Sequence, residues 1–233
     1  MPLPLREIVA VPMPETREWW TRIPAVRQVL SEGWQLAPIT VLVGDNGAGK
    51  STLVEAVAAA YGMGPEGGSI GSGYSTRATE AGLELTVRRD IGAPRAGFFL
   101  RAETMHAFYS FLEDNPGARA EPMFHRMSHG ESFLSLVGDR MLRPGLYLLD
   151  EPESALSFDN CLALVAHAKD LEARGSQILL STHSPVLAAI PGAVIWEVGE
   201  WGMRQCEWED LDLVRRWRGF LDSPQSFLRR LLD

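Results

Sequence analysis

Cysteine is nearly absent from this 233-residue chain, which carries only Cys161 and Cys206. That excludes a disulfide-stapled secreted scaffold. Cys161 falls in an apolar helical pattern and reads as a buried free thiol in a reducing cytosol. No run approaches the ~18 uninterrupted apolar residues of a membrane span. The N-terminal stretch MPLPLREIVAVPMPE is broken by prolines and lacks a signal peptide's basic start and apolar core. The expectation is a soluble cytoplasmic protein. Positive charge is also short: Lys and Arg total 22 against 30 Asp and Glu, for a net charge of -8. This argues weakly against wholesale binding to nucleic acid or an anionic membrane. There is no heptad run for a coiled coil, no internal repeat and no low-complexity tail. His125 and His129 are spaced i, i+4, but no third ligand is evident and the H-E-x-x-H glutamate is missing, so a zinc site is not expected.

What is present is ordinary for a globular domain: 45% apolar and 22% charged residues. A chain of this length buries roughly 70–75% of its unfolded surface without a staple, and residues 1–233 are read as one domain. Its organising stretch is Gly44, Asp45, Asn46, Gly47, Ala48, Gly49, Lys50, Ser51 and Thr52. It fits the phosphate-loop pattern G-x-x-x-x-G-K-[ST] without a mismatch. The β-branched, apolar run Ile39–Val43 precedes it, as a buried parallel strand should, and the alanine-rich run from Leu53 to Tyr61 follows as a helix. Strand, loop and helix therefore come in the order the motif needs. The glycines let backbone N–H groups approach an anion, and the helix starting near Gly49 adds its positive dipole end. Lys50 would reach the β- and γ-phosphates of a bound nucleotide, and the Ser51 hydroxyl would ligate Mg²⁺.

Along the rest of the chain, Leu5–Val11 reads as a strand stopped by Pro12 and Pro14. The aromatic pair Trp19-Trp20 is either core packing or a platform for a nucleotide base ahead of the phosphate loop. Pro24 to Leu30 reads as a short helix ended by Gly33. Residues 62–73 are dense in glycine and predict a loose loop rather than a regular element, with a mobile flap carrying Arg77 as the alternative. Leu83–Arg89 alternates as a strand, Gly97–Leu100 reads as another, and Thr104–Leu112 as a helix. Leu146–Leu149 is a buried strand ending in Asp150-Glu151 at the ligand edge of a sheet. Ser157–Glu172 is an amphipathic helix with Gly175 as its cap. Gln177–Thr182 is a further apolar strand, ending at His183. Ala193–Val198 and Met203–Trp208 predict a hairpin. A last helical region carries Arg215, Arg216, Arg218, Arg229 and Arg230, read as a solvated face interspersed with acids.

The chemistry-bearing residues sit where strands end. Asp150 would hold Mg²⁺, and Glu151 would orient or deprotonate the attacking water. A neutral His183 would hydrogen-bond the γ-phosphate. This ordered set resembles the ABC-type ATPase superfamily. Gly44–Thr52 matches its Walker A motif and Leu146–Glu151 its Walker B motif with the catalytic glutamate. Met127-Ser128-His129-Gly130-Glu131 is similar to its LSGGQ signature, Ser154–Ser157 to its D-loop, and Ser181-Thr182-His183 to its switch-histidine loop. More narrowly, the segments GFFLRAET, SHGESF, LDEPESALS and STHSP resemble those of small stand-alone bacterial ATPases with generic AAA-family names. His129 replaces the signature's first glycine and Glu131 its glutamine. Ser128 and Gly130 are kept and could still meet a γ-phosphate. The superfamily's Q-loop glutamine is missing, and Glu103 is the candidate for that role and for a contact with the metal.

The expectation is therefore a three-layer α/β fold of the P-loop NTPase type, with a mostly parallel core sheet. An antiparallel β portion from residues 1–38 and 83–100 is expected beside it. The resemblance implies Mg²⁺-dependent ATP hydrolysis and a head-to-tail homodimer in which each phosphate loop faces the partner's Ser128 and Gly130. The coupled job stays open among an ABC transporter subunit, a DNA-repair or chromosome ATPase of RecF or SMC type, and an ATP-dependent switch acting on a protein partner. Residues 53–127 leave little room for a transporter's helical insert beside the strands read there.

Overall fold

A computed structural model describes residues 1–12, 18–64, 67–71, 83–105, 110 and 129–232. In chain order the described elements are β1 (Glu7–Ile8), α1 (Pro24–Glu32), β2 (Trp34–Gln35), β3 (Ile39–Gly44), α2 (Lys50–Ala60), β4 (Gly68–Ser69), β5 (Val87–Arg88) and β6 (Ala96–Arg101). They continue with α3 (His129–Arg140), β7 (Gly145–Asp150), α4 (Phe158–Ala173), β8 (Gln177–Thr182), α5 (Pro185–Ala188), β9 (Val194–Gly199), β10 (Gly202–Gln205), α6 (Asp212–Asp222) and α7 (Pro224–Leu232).

Seven strands form the main sheet in the order β10-β9-β3-β8-β7-β6-β4. The five inner strands run parallel, and β10 and β4 close the two edges antiparallel. The inner strands are apolar on both faces because both faces are covered. Successive side chains point to opposite sides, and the two cores divide accordingly. Tyr147, Leu149, Ile178 and Leu180 pack with α3, α4 and α5, together with Leu211 and Val214. Leu146, Leu148, Leu42 and Leu179 pack with α1 and α2 and with Leu5, Ile8 and Trp34 of a small antiparallel sheet, β2-β1-β5. The three-layer α/β expectation is thus the observed architecture.

Several details differ from the sequence reading. The Leu5–Val11 and Leu83–Arg89 strands shrink to the two-residue β1 and β5, although Leu5, Ile8 and Leu83 are buried. Residues 96–101 leave the antiparallel portion and join the main sheet, with β6 parallel to β7 in register from Ala96↔Gly145 to Arg101↔Asp150. The glycine-dense stretch contributes a strand after all: Gly68 and Ser69 pair with Phe99 and Phe98. Backbone hydrogen bonding at a sheet edge needs no side chain, so composition hid it. Arg77, His125, Ser128 and most of the expected 104–112 helix lie outside the described residues.

Helix α4 shows how local sequence sets boundaries. Ser157 is its N-cap and accepts a hydrogen bond from Asn160 N at 3.3 Å. At the other end Gly175 takes φ +89°, and Gly175 N and Ser176 N donate to Glu172 O and Leu171 O. This paired capping, possible because glycine tolerates the left-handed region, brings the chain straight into β8.

Candidate functional site

The parallel strands end together. Gly44 is in register with Val198, Val43 with Thr182, and Asp150 with both Ser181 and Arg101. Their C-terminal edge is where an open α/β sheet presents ligands. From β3 the chain turns through Asp45–Gly49 into α2. A Cβ on Gly44 would lie 2.1 Å from Val198 O, so the adjacent strand admits only glycine there. Gly49, the N-cap of α2, has φ +101°, and a Cβ would meet Ile23 Cγ2 at 2.4 Å. Both backbone demands are met by the motif's own residues.

Lys50 opens α2 and is buried, with its side chain 3% exposed. Its ammonium donates to Gly44 O at 2.9 Å and Asp45 O at 3.1 Å, and lies 2.9 Å from His183 Nε2 and 3.9 Å from Glu151 Oε1. Burial pulls this ammonium below its ordinary pKa, while Glu151, Asp150, Glu153 and Asp45 push back. Next to it, Ser51 Oγ donates to Asp150 Oδ1 at 3.0 Å, and Ser181 Oγ donates to the same oxygen. Burial raises the Asp150 pKa against the opposing effects of the Ser181 bond, the Arg101 charge and the Ser51 bond. A hydroxyl and a carboxylate converging this closely form a hard-oxygen donor set that suits Mg²⁺.

Glu151 has φ +48°, the one non-glycine residue in the left-handed region among those described. The strain is held by its N–H donating to Ser181 O at 3.0 Å, and by Ser154 N and Oγ donating to its carbonyl. The bend aims its carboxylate at His183 Nε2, 3.1 Å away. His183 sits between β8 and the short α5. Its backbone N–H donates to Glu153 Oε1, and Ser184 caps α5 by accepting from Val186 N and Leu187 N. One imidazole nitrogen therefore faces an ammonium and a carboxylate. It either accepts from Lys50 or donates to Glu151, but not both at once.

The structure brings together Gly44–Thr52, Asp150, Glu151 and His183, residues drawn from three separate stretches. Gly130 lies in the first turn of α3, where a Cβ would meet Asn160 Nδ2 at 2.4 Å, so it is packed against the start of α4. Glu103 follows β6, but its carboxylate is largely exposed and pairs with Arg101 at 2.8 Å rather than facing Ser51 or Asp150. Arg101 itself, in register with Asp150, spans Glu55 at 2.5 Å and Asp150 Oδ2 at 3.6 Å. Sequence reasoning gave no role to Arg101 and named Ser181 only as part of the switch-histidine segment; their strand-end positions in line with Asp150 were the available signal. The Trp19-Trp20 pair divides: Trp20 is buried in the α1 core, and Trp19 is exposed on the 3₁₀ turn Trp19–Arg22. Neither lines the cleft of about 640 Å³ beside the phosphate loop, whose other wall carries Trp201, Arg216 and Trp217.

Residues 39–140 match the family described as "AAA domain, putative AbiEii toxin, Type IV TA system". The match includes the phosphate loop and ends before β7. A "Putative ABC transporter ATP-binding protein" of Streptomyces avermitilis is 32% identical over 168 residues, 65% of this chain and 30% of that one. An "Uncharacterized ABC transporter ATP-binding protein" of Haemophilus influenzae is 32% identical over 74 residues, 31% of this chain and 28% of that one. The chain thus spans under a third of the length of these two relatives. Among solved structures, the SMC head domain from Thermotoga maritima is similar at a TM-score of 0.44 and 13% identity, over 75% of this chain and 93% of that one. With its ordered motifs set at one sheet edge, and with the family match and these relatives alongside, the chain is similar to P-loop ATPases of the ABC type.

Proposed function

We propose that this chain binds ATP at Gly44–Thr52 with Mg²⁺ at Ser51 and Asp150, and hydrolyses it. The observation that carries the reading is the convergence of Lys50, His183 and Glu151, linked by contacts of 3.9 Å or less, with the Ser51–Asp150 pair, 3.0 Å apart, on the residues next to Lys50 and Glu151. The loop N–H groups, the start of α2 and the buried Lys50 cation favour a polyphosphate. Mg²⁺, when bound, would neutralise charge on the β- and γ-phosphate oxygens. Glu151 is placed to accept the proton of an attacking water, and its strained backbone holds it for that task. His183 Nε2 either accepts from Lys50 or donates to Glu151, and the imidazole would steady charge at the γ-phosphate. Gly130, with Ser128 preceding it, is the segment that would face a second copy's nucleotide in a head-to-tail pair. ATP turnover would be coupled to a protein partner.

Calorimetric titration with ATP-Mg²⁺, together with phosphate release, tests the reading. The wild type should bind ATP and release phosphate only with Mg²⁺. Lys50→Ala should lose most of its ATP affinity while keeping its circular dichroism spectrum, because Lys50 contacts loop carbonyls rather than the cores. Near wild-type affinity in that variant would overturn the assignment.

A further inference from the structure

We propose that the base of the nucleotide lies in the cleft between the β9–β10 hairpin and α6, stacked against Trp217 with Trp201 at the cleft mouth. The inference deepens the ATP reading and rests on it. The cleft of about 640 Å³ is lined at one end by Gly44–Ala48 and at the other by Trp201, Asp212, Arg216 and Trp217. That volume is in the range of small-molecule sites, and any base attached to a phosphate held at Lys50 must lie within reach of that loop.

Two features select the neutral end of a nucleotide for this space. The first is exposed aromatic surface. Trp217 is 47% exposed and Trp201 57%, and neither belongs to the two cores. Trp201 is held in place by the Arg204 guanidinium 5.0 Å from its ring and by its close approach to Gly199, where a Cβ would come within 2.6 Å of the indole. The second is charge. Glu200 and Asp212 line the cleft and repel phosphate, while their carboxylates can accept hydrogen bonds from a base's amino group. Glu197, buried beneath, is occupied by Arg204 and by Asp212 N, which fixes the start of α6 against β9. Arg216, 3.9 Å from Asp45, links α6 to the phosphate loop. The cleft therefore joins the phosphate-loop backbone, which leads into Lys50, to a wall of exposed indole rings and carboxylates, which matches a purine nucleoside triphosphate laid from the loop toward α6. Trp19 and Trp20, the sequence candidates for a base platform, do not line it.

Binding of ATP-Mg²⁺ and of tripolyphosphate-Mg²⁺, which has no base, to the folded full chain separates this inference from the reading beneath it. Trp217→Ala should weaken ATP on the order of tenfold and leave tripolyphosphate unchanged. Trp201→Ala should act in the same direction, and Trp19→Ala should change neither. If wild type and all three tryptophan variants bind ATP equally well while Lys50→Ala does not, the base lies elsewhere and only this inference falls. If Trp217→Ala weakens both ligands equally, the residue supports the fold rather than the base, and the inference is again overturned. If the wild type binds neither ligand, the ATP reading falls and takes the base site with it.

Discussion

Asp150 and Lys50 are two ionisable residues buried within one site, and burial works against the charge of each. Their linkage to stability runs in opposite pH windows. The folded-state pKa of Asp150 lies above the unfolded carboxylate's, so between those two values the folded protein holds a proton that the unfolded chain has released. Stability therefore falls as pH rises through that window and stays lowered above it. Lys50 has its folded pKa below the unfolded value of 10.5. Stability rises with pH between those two values. Asp150→Asn mimics the neutral acid and keeps an oxygen for Ser51 and Ser181. It should melt higher than wild type at pH 7.5, and the difference should shrink toward pH 4, while Mg²⁺-dependent stabilisation by ATP is lost. Equal destabilisation at both pH values would contradict the assignment of burial as the dominant cause.

At the scale of elements, the site depends on helices starting and strands ending at fixed residues. Helix α4 begins at Ser157, directly after the 3₁₀ turn Pro152–Ala155 that leads away from Glu151. Removing the cap with Ser157→Ala should cost about 1 kcal/mol, a fall in melting temperature of roughly 2–4 °C for a chain of this size. ATP affinity should change little, because Ser157 contacts no residue of the phosphate loop. Thermal melts with and without ATP-Mg²⁺ would check both parts. A loss of ATP affinity at unchanged melting temperature would mean that the turn, not the helix, is what Ser157 supports.

On the scale of the whole molecule, two cores on opposite faces of one sheet hold the strand edge rigid, while α6 and α7 carry exposed apolar residues such as Leu221 and Leu228 outside them. Under the proposed head-to-tail pairing, Glu151 and Ser128 are expected to have separate consequences for assembly. Glu151→Gln keeps the shape of the side chain and its reach to His183 but cannot take a proton. Hydrolysis should stall with ATP bound, and by linkage an ATP-bridged pair should accumulate. Light scattering of this variant at tens of micromolar should show dimers with ATP-Mg²⁺ and monomers with ADP. Adding Ser128→Arg should abolish the ATP-dependent dimer while ATP binding persists. Monomers in both nucleotides for Glu151→Gln alone would remove the head-to-tail arrangement.

The phosphate loop was legible from sequence because its chemistry is local: glycines, a lysine and a hydroxyl must be consecutive to wrap one anion. The buried strands ending at Asp150 and His183 were legible as unbroken apolar runs, and α4 was legible through its caps. The resemblance to ABC-type ATPases added the order of those motifs. Strand pairing is not a local property. That β6 runs parallel beside β7, placing Arg101 in register with Asp150, follows from which faces the chain buries. The same holds for Gly68–Ser69, whose edge pairing rests on backbone groups that composition does not report. Trp217, more than 160 residues from the phosphate loop, lines the same cleft only because β9 pairs with β3 and Glu197 anchors the start of α6. The sequence by itself determined which groups are the candidates for phosphate chemistry. The tertiary structure decided what stands around them, because proximity across a sheet depends on strand order and on the burial of both faces.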